Sequence, residues 1–167
     1  MKTKSRGVYL KIEKKTIFDA IGLIAIVGSL IFVGLQVRQG TIATKASTVA
    51  QLKDSWVQLN LIEASNPDLA KAWLDVRTNG FENASPVSQS LVSGFIRTLM
   101  HTWSNAYYHH RIGTLDEEQW NPVLREMQLV ASNKIYIRVW NNWKFIYDEP
   151  FRIRFDQIIS ENSGSET

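Results

Sequence analysis

Cysteine does not occur in this chain of 167 residues. Disulfides, thiol nucleophiles and thiolate-bound metals are therefore excluded. The compartment stays open, because a cysteine-free domain is stable on either side of a bacterial membrane. Several other signals are missing. No serine lies in a G-x-S-x-G elbow, and the scattered glycines form no phosphate-cradling loop. The zinc motif of two histidines one helical turn apart, with a glutamate between them, is not found. Strand patterns are scarce: KIYIRVW alternates, but its length and flanks suit a helix as well. No internal repeat is visible. Disorder of the whole chain is excluded too, since 44% of residues are hydrophobic and 21% charged, the balance of a folded domain.

The charge that is present is unevenly placed. Lys2, Lys4, Arg6, Lys11, Lys14 and Lys15 precede the first long apolar run, against Glu13 alone. The opening segment thus carries about +5, and the rest of the chain is mildly acidic; a nucleic-acid binder would instead need a basic face on its folded part. Ile17 to Val37 then reads IFDAIGLIAIVGSLIFVGLQV, in which Asp19 is the only charge and Ser29 the only polar residue between Ala20 and Leu35. A helix of that length is about 30 Å long and matches the hydrocarbon core of a bilayer. It is too long for a secretory signal, and no cleavage site follows closely. The six basic residues ahead of the span outnumber Arg38, Lys45 and Lys53 behind it, so the tail is expected in the cytoplasm and the domain outside the inner membrane. Gly22, Ala25 and Ser29 share one face of the span, a small-residue surface through which two copies can pair as a homodimer.

Beyond Gly40 the pattern is helical throughout. Ile42, Ala46, Val49, Leu52, Trp56 and Leu59 form one stripe, so the span is expected to continue as a stalk. Asn66 and Pro67 open a second helix that buries Leu69, Trp73 and Val76 and stops at Asn79-Gly80. Ser85 and Pro86 open a third, with Leu91, Phe95, Leu99, Trp103, Ala106 and His110 inward and Gly113 as its stop. A fourth starts near Asp116, with Glu117-Glu118 suited to a helix N-terminus and Pro122 a point of bending. A fifth covers Lys134 to Tyr147 with Ile135, Val139, Trp143 and Ile146 inward; a sixth opens at Pro150 with Phe151, Phe155 and Ile158. All six tryptophans lie in this part and are expected in its core. The expected fold is all-α: an N-terminal transmembrane helix continuing into a stalk, then a compact bundle of about five further helices. In segments, it has a basic cytoplasmic tail at 1–16, the span at 17–37, the stalk at 38–64, a helical domain at 65–160 packed with the stalk, and a disordered tail at 161–167.

The densest polar stretch is WSNAYYHHRIGTLDEEQW, Trp103 to Trp120. His109 and His110 point about 100° apart on a helix and do not readily share a metal. His101 has Arg97 and Asn105 as its one-turn neighbours, neither a metal ligand, and Asp116, Glu117 or Glu118 would have to complete any site. The simpler expectation is that His110 and Tyr107 bond polar groups within the packing while His109 and Tyr108 are partly exposed. No catalytic residue, metal site or cofactor is assigned. The stretches LQVRQ, DSW, NPDLAKAWL, NAYYHHRIGTLDEEQW and YDEPFRIRFDQII together resemble a group of bacterial proteins with one N-terminal membrane helix and a small helical domain. That group has no assigned activity, so the resemblance implies architecture alone; Asn105, Tyr107, Tyr108, His110, Gly113 and Asp116 match its most distinctive stretch.

Two functions fit these features. The first is a membrane-anchored interaction or scaffold protein, whose partners are the lipid bilayer, another membrane protein and, through the span, a second copy of the chain. The second is a membrane-tethered enzyme or small-ligand sensor with Trp103, Asn105, Tyr107, His110 and Asp116 around a pocket between helices.

Overall fold

Continuous helix-favouring sequence without an internal proline makes one helix of the first third of the chain. A computed structural model describes residues 14–163; the basic stretch 1–13 and residues 164–167 of the expected C-terminal tail lie outside the described residues. Helix α1 is Lys14–Ser65, 52 residues long, and passes through Gly40 without a break. The chain divides into two units, Met1–Ala43 and Thr44–Thr167. In the first, the apolar segment of α1 is long and apolar enough to cross a membrane, and none of it is buried by the protein. Ile17 and Val37 at its ends, and Gly22, Ala25 and Ser29 between them, are all exposed.

In the second unit α1 is followed by α2 (Pro67–Asn79), α3 (Pro86–Arg111), α4 (Glu117–Val130), α5 (Lys134–Trp143) and α6 (Glu149–Ser163), with a 3₁₀ turn at Lys144–Ile146. The fold is all-α, as the periodicity predicts. From α1 it buries Leu52 and Leu59 together with Thr48, while Val49 and Trp56 are half-buried. The stripe expected to begin at Ile42 and Ala46 is shorter: both are exposed, Ile42 because it belongs to the first unit.

Local chemistry starts and stops the helices. The Asn66 side chain accepts from the backbone N–H groups of Asp68 and Leu69, both at 3.0 Å, and Pro67 occupies the first turn. Ser85 does the same for α3, accepting from the Ser88 N–H at 3.1 Å. Gly113 ends the α3 turn at φ +76°, a left-handed conformation that costs a side chain about 1–2 kcal/mol. Asn133 caps α5 by accepting from the Ile135 N–H at 2.9 Å. Asp116 holds the cap position of α4 but makes no capping bond; its carboxylate meets the Lys45 ammonium at 2.6 Å instead.

Helix α3 is the centre of the unit and packs against α2, α4, α5 and α6. Its most buried row is Val92, Ile96, Met100 and Trp103, with Leu99 and Ala106 beside it. Leu91 and Phe95, expected inward, flank this row half-buried, because a helix with several neighbours buries more than one stripe. Phe95 meets Trp73 edge-on at 6.4 Å. On the other side Trp140 packs edge-on against Phe155 at 4.8 Å and Phe151 at 5.7 Å.

Three further expectations are corrected. Trp103, Trp120 and Trp140 are core residues, but Trp56, Trp73 and Trp143 are only half-buried. The helix expected from Lys134 to Tyr147 stops at Trp143 and tightens into the 3₁₀ turn, whose three residues per turn rotate Ile146 outward and Tyr147 inward. Ile146 is accordingly 42% exposed and Tyr147 6%. Finally, α6 continues to Ser163, into the stretch 161–167 expected to be disordered.

Candidate functional site

The stretch from Trp103 to Trp120 is the last turns of α3, a reversal at Gly113 and the first turn of α4. That reversal brings the end of one helix against the start of the next. Trp120 becomes the floor of an aromatic cluster: the His110 ring stacks on it at 5.0 Å and 10°, and Tyr107 lies against it at 5.6 Å. Tyr107 also contacts Phe151 at 6.1 Å. The His110 Nε2 stands 3.6 Å from the Glu117 carboxylate, while its Nδ1 is buried with no partner among the described residues. Ring packing rather than polar bonding thus places Tyr107 and His110. His109 is turned away, its Nδ1 2.9 Å from the Thr114 hydroxyl, and Tyr108 is exposed.

Of the remaining residues expected at this site, Trp103 is wholly buried, and its indole N–H donates to the Glu126 carboxylate at 3.0 Å. Burial pushes the Glu126 carboxyl above its ordinary range, and the Trp103 N–H opposes that rise. Asn105 is exposed, and Asp116 is engaged by Lys45 at the surface. The fold therefore gathers Tyr107 and His110 on Trp120, and leaves Trp103, Asn105 and Asp116 in other surroundings. Among the described residues, no three His, Asp or Glu side chains come together as a metal-binding group.

The clefts lie elsewhere. A groove of about 370 Å³ runs between α1 and α4, with Val49, Leu52, Trp56, Leu115, Pro122 and Val123 supplying apolar walls and Lys53 and Glu126 one charge of each sign. Its α1 wall joins the buried Leu52 to Val49 and Trp56, which the bundle leaves only partly covered. A second cleft, of about 350 Å³ between α3 and α5, is polar and contains Arg97 and Arg138. The Arg97 guanidinium lies over the Trp143 ring at 4.1 Å, and Arg138 pairs with Glu82. None of Trp103, Asn105, Tyr107, His110 and Asp116 lines either cleft. Comparison with protein-family models, with curated proteins and with solved structures finds no match to this chain.

Proposed function

We propose that the protein is a membrane-anchored interaction module, with α1 as its single membrane anchor and the helical unit as the part that meets a partner. One observation carries the reading: from Ala20 to Leu35 the side chains form an apolar surface, with Ser29 its only polar residue, and the protein buries none of it. In water each large apolar side chain so exposed forgoes about 1.5–3 kcal/mol of burial free energy, which a bilayer supplies. Anchoring confines the helical unit to a thin layer and raises its effective concentration toward other proteins of the same membrane. The apolar groove between α1 and α4, with Trp56 and Pro122 in its walls, suits the apolar stripe of a neighbouring membrane protein's helix. The resemblance to bacterial proteins with one N-terminal membrane helix favours the same arrangement, and the basic residues ahead of the span favour a cytoplasmic tail with the helical unit outside.

Fractionation and site-specific photo-crosslinking test the two halves of this reading. The full chain should stay in carbonate-washed membranes, and a chain lacking residues 17–37 should not; release of the full chain by carbonate ends the anchoring half. A photo-crosslinker at Trp56 or Val123 should give adducts of discrete mass in native membranes. A crosslinker at Leu129, which is 81% exposed, should not. Identical patterns from all three positions end the interaction half.

A further inference from the structure

Arg97, Ser93 and Ser90 are spaced four and three residues apart on α3 and so lie along one face of that helix. All three line the cleft between α3 and α5, with Asn142 and Trp143 on the opposite wall. The Arg97 guanidinium carbon lies over the Trp143 ring, 4.1 Å from its centroid, a contact that removes much of its freedom before any ligand arrives. Its Nε is shielded from solvent, and among the described residues it has no hydrogen-bond partner and Arg97 forms no ion pair. Arg138, the other cation of the cleft, is already neutralised by Glu82. Among the described residues, no carboxylate lines the cleft. The hydroxyls of Ser90 and Ser93 and the Asn142 amide make no hydrogen bond among the described residues, which leaves three neutral polar groups free beside an uncompensated charge.

We propose that this cleft binds a small oxyanion, a carboxylate or phosphate group, on the planar fork of Arg97 with Ser90, Ser93 and Asn142 as its neutral partners. The chemistry follows from the groups present. A guanidinium offers paired N–H donors at the spacing of two carboxylate or phosphate oxygens. Hydroxyl and amide groups complete the coordination of an anion without adding charge. A cleft of about 350 Å³ is at the lower end of ligand-sized cavities, so the anion would belong to a small organic acid, a phosphomonoester or the headgroup of a lipid. The site is separate from the apolar groove and does not depend on what that groove contacts.

Trp143 provides the readout, since its fluorescence responds to the charge stacked on it. The full chain is placed in nanodiscs of zwitterionic phosphatidylcholine and titrated with inorganic phosphate, glycerol 3-phosphate and citrate at constant ionic strength; a second series uses nanodiscs containing phosphatidic acid. Saturable change with a soluble probe identifies a free anion, whereas change only with phosphatidic acid identifies a lipid headgroup; either result supports the oxyanion site. Arg97→Gln should abolish the saturable change. Arg97→Lys, which keeps the charge and loses the fork, should weaken binding about tenfold. If Arg97→Gln does not fold, the double variant Ser90→Leu, Ser93→Leu fills the cleft with Arg97 in place and should abolish the change instead. The proposal is overturned if no probe gives saturation with the native chain, or if the variants respond as the native chain does.

Discussion

Trp103 joins complete burial to a polar obligation, because its indole N–H must find an acceptor and finds Glu126. The residue fills the centre of α3 and touches Phe155 at 5.7 Å. Trp103→Ala should lower the stability of the helical unit by about 3–5 kcal/mol, as large-to-small core changes do, and chemical denaturation reads this directly. An unchanged midpoint would mean that the indole is not packed. Glu126 answers to a different rule. Burial raises its carboxyl pKa in the folded state, so the ionised form is disfavoured by folding. Its sign is therefore opposite to that of a salt-bridged acid: the destabilisation is absent below the unfolded carboxyl value of 4.5, develops as pH rises from there toward the folded value and is complete above it. Glu126→Gln keeps an acceptor for Trp103 and removes the charge. It should raise the melting temperature at pH 7 and leave it unchanged near pH 4; a lower melting temperature at pH 7 would show that the charge stabilises the fold.

Helix boundaries depend on groups within a few residues of each other, and that is why Asn66, Ser85, the prolines that follow them and Gly113 were legible as starts and stops. Ser85→Ala should cost about 1 kcal/mol through loss of the cap on α3. A second contribution at this junction involves Asp75, which receives the Ser85 N–H at 2.9 Å and the Asn79 amide at 2.7 Å. The Ser88 hydroxyl first, then these two groups, hold the Asp75 carboxyl down from 3.8 to about 2. Its folded pKa is depressed, so its stabilisation is complete above the unfolded value and is lost as pH falls from about 4 toward 2. Asp75→Asn should therefore reduce stability at pH 7, with the difference from the native chain closing by pH 2; a gap that persists there would point to shape, not charge. Which face each helix buries was less legible, because it depends on neighbours distant in sequence. Leu91 and Val92 are equally apolar, and only the packing of four helices around α3 makes Val92 the core residue. Ile146 was misplaced for another reason, a change of winding after Trp143 that a 3.6-residue period does not contain. The two clefts were not legible at all. Trp56 and Trp143 look like core residues in the sequence, and their half-burial arises only once the other walls are in place.

The charge asymmetry about the apolar segment concerns the whole molecule, because on the proposed anchoring it sets the compartment in which the helical unit is expected. Six basic residues precede Ile17, and Arg38, Lys45 and Lys53 follow Val37. Each basic residue near an anionic cytoplasmic surface is worth about 1 kcal/mol, and the side with the larger number is retained inside. On the proposed anchoring, the excess of the tail predicts that the helical unit lies outside. Alkaline phosphatase fused after Asn162 should be active, and a fluorescent reporter that matures only in the cytoplasm should be dark at the same junction. The reverse pattern would mean that Arg38, immediately after the apolar segment, and Lys45 and Lys53 outweigh the tail. Charge reduction then separates this cause from any property of the span itself. Changing Lys11, Lys14 and Lys15 to Gln leaves equal numbers on the two sides, so the phosphatase signal should fall and the cytoplasmic reporter should appear in part of the population. Changing Arg38 to Gln in the native background should leave the orientation intact, since it widens the same bias. If the triple lysine variant keeps the full phosphatase signal, the orientation comes from translocation of the folded part and not from the basic tail.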